Sequence, residues 1–303
     1  MLIANNLRFH RILKFTWKVD LLMIVACTAV YFLREFIIPE SIQIPPTMAT
    51  LLGTTLAFFI GFNNNQAYAR WWEARKIWGA LVNDSRSWAR GILHFTTEGT
   101  LSSGELSEIK RQMILRHISF VYALNDTLRR KAPSVIPEYL QDQEVQRVKQ
   151  ESNVPNAILS LNAIDLQKLS DHNSIDQFRF VQLNQLLTAF TDHMGKSERI
   201  RNTVFPTTYI YFTKLFIWVL LVFTTMILTS VVGPWSILIG WVIGFVFHVT
   251  HQNGMTLMDP FDEAPSGIPL NQISRTIEIN LLQMMGETEV PKPLEPIDGE
   301  YFL

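Results

Sequence analysis

The chain has 303 residues, 48% hydrophobic and only 17% charged. Soluble domains average about 25% charged residues, while a mean hydropathy of +0.14 is too low for a bundle of membrane helices alone. A net charge of -1 excludes the electrostatic footprint of a nucleic-acid binder, and a single cysteine, Cys27, excludes an internal disulfide.

A few membrane spans plus a sizeable aqueous part satisfy these limits. Arg8, Arg11, Lys14 and Lys18 precede a first apolar segment, about residues 21–38, that runs into Arg34-Glu35 and Pro39. It lacks a small-residue cleavage site, so it reads as a span and not as a cleavable signal. The connection after it carries Arg34 against Glu35 and Glu40. The second segment, 47–62, ends in Gly61-Phe62 and passes without a bend signal into Asn63-Asn64-Asn65 and then Arg70-Trp71-Trp72-Glu73. Arg75, Lys76, Arg86 and Arg90 follow.

Residues 63–214 read as a soluble, mostly helical region. Ser102 to Glu105 is a capping box opening a long helix whose apolar stripe is Ile109, Met113, Ile114, Ile118, Val121 and Leu124. Residues 131–156 are polar and broken by Pro133, Pro137 and Pro155. Ser174 to Gln177 is a second capping box, opening a helix with Phe178, Val181, Leu186, Leu187 and Phe190. The third span covers 215–232, Gly233-Pro234 turns the chain, and the fourth covers 235–249. Asn271 is expected to cap a helix through Met285 that Gly286 ends, and residues 291–303 form a Pro-rich extended tail. Several spans fall short of the roughly 20 residues a lone span needs, so flanking helix must complete them.

These elements give an all-α protein with one domain over 1–290: four spans whose helices continue into a cytoplasmic part at 63–214 and 250–290. Basic residues crowd the start of the chain and the region after the second span. By the positive-inside rule this puts both termini and 63–214 in the cytoplasm of a multi-pass inner-membrane protein.

Thr54, Phe58, Phe62 and Gln66 recur at i, i+4 on the second span. Repeated around an axis, the Phe residues would form a hydrophobic constriction that gates by dewetting. The alternative is a Phe stripe packed on the other spans. Asn63, Asn64 and Asn65 cannot all be satisfied in lipid, and with Gln66 they fit a wet vestibule. Arg70-Trp71-Trp72-Glu73 fits membrane-interface anchoring, with Arg70 and Arg75 snorkelling or pairing with Glu73. His248 and His251, with Asp262 and Glu263 nearby in sequence, are a weak metal set that lacks the H-E-x-x-H pattern. Asp259-Pro260-Phe261 reads as a helix-ending turn in which Asp259 accepts backbone N–H groups and Phe261 plugs an apolar gap. There is no nucleophile elbow, P-loop or dinucleotide fingerprint. No catalysis and no cofactor are expected, and a metal-dependent enzyme would have to rest on His248, His251 and Asp259. A non-conducting membrane scaffold or sensor is a further alternative.

Three groups of residues resemble the bestrophin family. The first is Gly61-Phe62-Asn63 with Tyr68-Ala69-Arg70-Trp71-Trp72-Glu73-Ala74-Arg75 and Trp78-Gly79. The second is Met258-Asp259-Pro260-Phe261 with Ile268-Pro269-Leu270-Asn271 and Thr276-Ile277-Glu278. The third is Ser197-Glu198-Arg199 with Pro206 and Tyr209. They occur in order along nearly the whole chain, and the compact length is similar to the prokaryotic branch.

The resemblance implies a homopentameric channel for small monovalent ions, embedded in the lipid bilayer. Thr54, Phe58 and Phe62 would take the neck positions and Gln177 a second, cytosolic aperture. It favours cations, with an anion channel of the same architecture as the alternative. Three departures matter. Thr54 stands where an aliphatic residue is common, so the neck should be wetter there. Thr203-Val204-Phe205-Pro206 replaces the usual Thr-Pro-x-Pro. Asp262-Glu263 gives way to Ala264-Pro265-Ser266-Gly267 in place of an acidic run that helps to clasp calcium, so opening is expected not to require calcium.

Overall fold

The computed structural model describes residues 9–303 apart from Glu40, Gln43, 135–137 and Phe205, with side chains from Thr16 onward. Arg8, Glu40, Pro137, Phe205 and the side chains of Arg11 and Lys14 lie outside the described residues. Among those described, nine α-helices follow one another: α1 (Phe9–Phe36), α2 (Pro46–Phe95), α3 (Ser103–Leu128), α4 (Asp142–Gln150), α5 (Val154–Asp171), α6 (Gln177–Asn202), α7 (Thr207–Val232), α8 (Trp235–Met255) and α9 (Leu270–Met284). The single β feature among them is an isolated bridge between Ile297 and Tyr301. The chain is therefore all-α.

The described residues form two compact units, one of 9–71 with 204–258 and one of 72–203 with 259–303. The single helix α2 contributes residues to both.

The first unit is built on apolar contacts. Met23 and Cys27 of α1, Leu56 and Ile60 of α2, and Ile217, Leu220 and Leu221 of α7 form its core, flanked by Ile237, Trp241, Ile243 and Phe247 of α8. Gly233 joins α7 to α8 at φ 57°, a left-handed conformation that glycine adopts without a Cβ clash. Its exterior is also apolar. Leu21, Leu22, Val25, Phe32 and Phe36 of α1, Phe212 and Val231 of α7, and Trp235, Leu238, Val242 and Val246 of α8 are all exposed. Among the described helices, α7 is long and apolar enough by composition to cross a membrane.

The second unit is organised around α3. Every residue from Met113 to Val121 is buried, so this helix is enclosed on all sides and not along one stripe. α5, α6 and α9 pack on it. The Ser102 capping box is present, Glu105 returning a hydrogen bond from the Ser102 amide at 3.0 Å. A buried cation, Arg116, is held between Glu144 of α4 and Asp165 of α5. Unpaired it would cost several kcal/mol, so α4 and α5 fold against α3 as much to satisfy a charge as to cover apolar surface. Glu278 of α9 is likewise buried, accepting the hydroxyls of Tyr122 and Tyr139 and pairing with Arg275 at 3.1 Å.

Three sequence expectations about helix ends change. Asp176, not Ser174, caps α6, its carboxylate accepting the amides of Phe178 and Arg179 at 3.0 Å. The Ser174 hydroxyl instead donates to the Glu98 carbonyl at 2.9 Å. Pro269, not Asn271, precedes α9, and the Asn271 side-chain Oδ1 accepts from Asn125 and Arg129, each at 2.8 Å. The polar stretch at 131–156 contains α4 and the start of α5, because Pro155 lies in the first helical turn, where its missing N–H costs nothing. Gly286 follows α9 at φ 84°. The tail then runs extended and returns to its own chain, Leu303 accepting the Gln272 amide at 3.3 Å.

Candidate functional site: the exposed face of helix α2

Residues 46–71 of α2 divide by face. Leu56, Ile60, Asn63 and Ala67 are buried, at the i, i+4, i+7 spacing of one helical side. The other side carries Leu51, Thr54, Phe58, Phe62, Asn65 and Gln66, all exposed. Phe58 is 73% and Phe62 50% exposed, so both leave half or more of their surface uncovered in the protomer. The Thr54 hydroxyl donates to the Thr50 carbonyl at 2.8 Å, closing on its own helix. That leaves the Thr54 methyl as the larger part of what this position presents.

The three asparagines part company. Asn63 is 3% exposed and its amide lies 3.5 Å from the Thr213 hydroxyl of α7. Asn64 donates to the Thr250 carbonyl of α8 at 3.0 Å. This contact requires glycine at 254, since a Cβ there would sit 1.8 Å from Asn64 Oδ1. Two of the three amides therefore tie α2 to α7 and α8, and only Asn65 shares the solvent side with Gln66. The physical reason is that a run of three residues covers about 200° of a helix, so it cannot face one way. Sequence reasoning missed Thr213, Thr250 and Gly254. A glycine and two β-hydroxyl residues in apolar helices were the available signal.

Elsewhere, Glu73 pairs with Arg199 at 2.8 Å and not with Arg70 or Arg75. Tyr68 and Trp71 stack with ring centroids 6.2 Å apart. Gln177 is exposed at the first residue of α6, beside Phe178, which is 90% exposed. Asp259 accepts the Phe261 amide at 3.2 Å and also Arg201, and Phe261 is fully buried. Glu263 accepts Arg129 at 2.8 Å and Lys131 at 2.6 Å. The hydrogen bond from Lys131 holds its carboxyl below the usual range. His251 is buried and His248 half-buried on α8. Among the described residues, no three His, Cys, Asp or Glu side chains come together as a metal-binding group.

The profile of the bacterial/fungal bestrophin proteins matches residues 8–283. The chain belongs to the bestrophin family. Among its bestrophin relatives, the voltage-dependent anion channel-forming protein YneE of Escherichia coli is 30% identical over 279 residues, 91% of this chain and 88% of that one. The voltage-dependent anion channel-forming protein of Ralstonia nicotianae is 28% identical over 82% of this chain and 80% of its own length. A crystal structure of a bacterial bestrophin homologue from Klebsiella pneumoniae has the same fold, with a TM-score of 0.82 at 22% identity, covering 89% of this chain and 98% of that chain.

Proposed function

We propose that this chain is the protomer of an anion-conducting channel, in which five copies surround one pore in the bacterial inner membrane. The observation that carries this reading is the exposure of Phe58 and Phe62 on the face of α2 turned away from the protomer core. An aromatic side chain contributes roughly 1.5–3 kcal/mol when buried, so two left open in one stripe call for a role outside the protomer. A ring of such stripes makes a narrow apolar neck with Thr54 at one end and Asn65 and Gln66 at the other. The apolar exteriors of α1, α7 and α8 supply the lipid-facing surface. Four spans with both termini in the cytoplasm, and Gln177 at a second aperture, complete the reading.

The cation preference implied by the prokaryotic resemblance gives way to the anion alternative. Phe rings carry no net charge and do not choose sign, and the relatives named above are called anion channel-forming proteins. Reversal potentials of the purified protein in planar bilayers under a sodium chloride gradient test both points. The expected value lies on the chloride side of zero. A value on the sodium side contradicts anion conduction, and absence of current under every gradient favours a scaffold or sensor.

A further inference from the structure

The first unit has an open cavity of about 680 Å³ between the end of α1, the connection to α2 and the end of α7. Its walls are largely apolar, with Ile38, Ile42, Ile44, Met226 and Val231. Arg34 and Glu35 line it too, and they are its charged side chains among the described residues. Consecutive residues of a helix point about 100° apart, and these two form no ion pair. Arg34 is half-buried and fixed in place. Its Nε donates to Ser230 Oγ at 3.2 Å and its Nη1 to the Pro39 carbonyl at 3.0 Å. Both acceptors are neutral, so the guanidinium keeps its full charge, and its other N–H groups meet no carboxylate among the described residues. Glu35 is exposed.

The surroundings of this cavity are those of a membrane surface. Trp235, just past the α7–α8 turn, and Phe32 and Phe36, which flank Arg34 on α1, are exposed, as aromatic side chains are where apolar spans meet water. Leu33, Ile37 and Val231 continue the exposed apolar surface from its rim. We propose that the cavity binds the head group of a zwitterionic phospholipid with a primary ammonium, its phosphate on Arg34 and its ammonium on Glu35. This rests on the membrane reading of the unit and goes beyond the pore itself.

The two charges select the ligand. A planar guanidinium with free N–H groups suits phosphate oxygens. A free phosphate would be repelled by Glu35 and would gain nothing from the apolar walls. An anionic lipid would satisfy Arg34 and leave Glu35 unmatched. A phosphoethanolamine head group meets both, while its acyl chains lie along Leu33, Ile37 and Val231. The size fits, since sites for small molecules run about 300–1,000 Å³. Pro46, the first residue of α2, lines the same cavity, so a bound lipid braces the start of that helix.

The test is native mass spectrometry of the detergent-purified protein with added phosphatidylethanolamine, phosphatidylglycerol or inorganic phosphate. The wild type is expected to retain phosphatidylethanolamine in preference to phosphatidylglycerol, and millimolar phosphate should not displace it. Arg34→Gln should weaken phosphatidylethanolamine binding about tenfold, the worth of one charge-assisted hydrogen bond. Glu35→Gln should remove the preference between the two lipids. Equal binding of both lipids by the wild type, a preference that survives Glu35→Gln, or displacement by phosphate alone overturns the inference. If Arg34→Gln fails to assemble, Glu35→Lys at the exposed neighbour decides: the preference should reverse towards phosphatidylglycerol, and an unreversed preference overturns the inference. Either result in a protein that fractionates with membranes leaves the membrane reading intact, whereas a wild type absent from the membrane fraction overturns both.

Discussion

Phe58 and Phe62 show how single residues acquire a role from what they do not touch. Leu56 and Ile60, two residues away from them, fill the protomer core, while both Phe rings stay open. Their i, i+4 spacing was plain in the sequence, but the choice between packing and exposure was not, because periodicity gives a face and not its neighbour. Glu263 makes a related point. Arg129 and Lys131 occupy its carboxylate with fixed positive charge, so a divalent cation would have to displace both. Currents recorded with excess chelator should equal those in millimolar calcium, and their loss in chelator would contradict this.

His117 offers a pH prediction at the same scale. It is fully buried among Trp88, Phe120 and Phe190, with Ser85 Oγ 2.8 Å from Nε2. Burial lowers its pKa to about 3, whereas in the unfolded chain it titrates near 6.5. Above 6.5 the ring is neutral in both states and imposes no pH dependence. Between about 6.5 and 3 only the unfolded chain takes up the proton, so stability falls on acidification by up to about 1.4 kcal/mol per pH unit. His117→Phe should flatten that part of the profile in denaturant titrations. An unchanged slope would show that other groups govern acid unfolding.

At the scale of elements, the most informative contact is that of Asn64 with α8. Gly254 leaves room for the Asn64 side chain, which in turn satisfies the Thr250 carbonyl. Gly254→Ala should displace the amide and cost about 0.5–1.5 kcal/mol through the lost hydrogen bond. Adding Asn64→Ala should then cost little more, since the clash has gone, giving a strongly non-additive double-mutant cycle in detergent unfolding. Additive losses would place the strain elsewhere. Helix existence was legible from sequence wherever caps and apolar periods coincided, as at Ser102 and α3. The failures have local causes. At Ser174 two candidate caps compete within three residues, and the one whose carboxylate takes both free amides wins. At residues 131–156, charge satisfaction around Arg116 builds α4 and helps to hold α5, and no apolar pattern reports that.

For the whole molecule, an apolar exterior on α1, α7 and α8 and a separate open stripe on α2 require two different surroundings. In the proposed channel, lipid covers the first and a shared axis with other copies covers the second. The purified protein in nanodiscs should therefore have the mass of five protomers, and a monodisperse monomer would leave the α2 stripe unexplained. The all-α class and the order of the elements were readable from the chain. An assembly is not readable in this way, because symmetry partners leave no trace in one chain except surfaces that lack an internal partner.

The single-channel conductance of Phe58→Ala, set against wild type in symmetric chloride, tests the exposed α2 face as the pore wall most directly. Removing five rings widens and wets the neck, so the conductance should rise severalfold at unchanged oligomeric mass. Equal conductance in an intact assembly would contradict the account, because a residue that walls the narrowest passage cannot be truncated without effect.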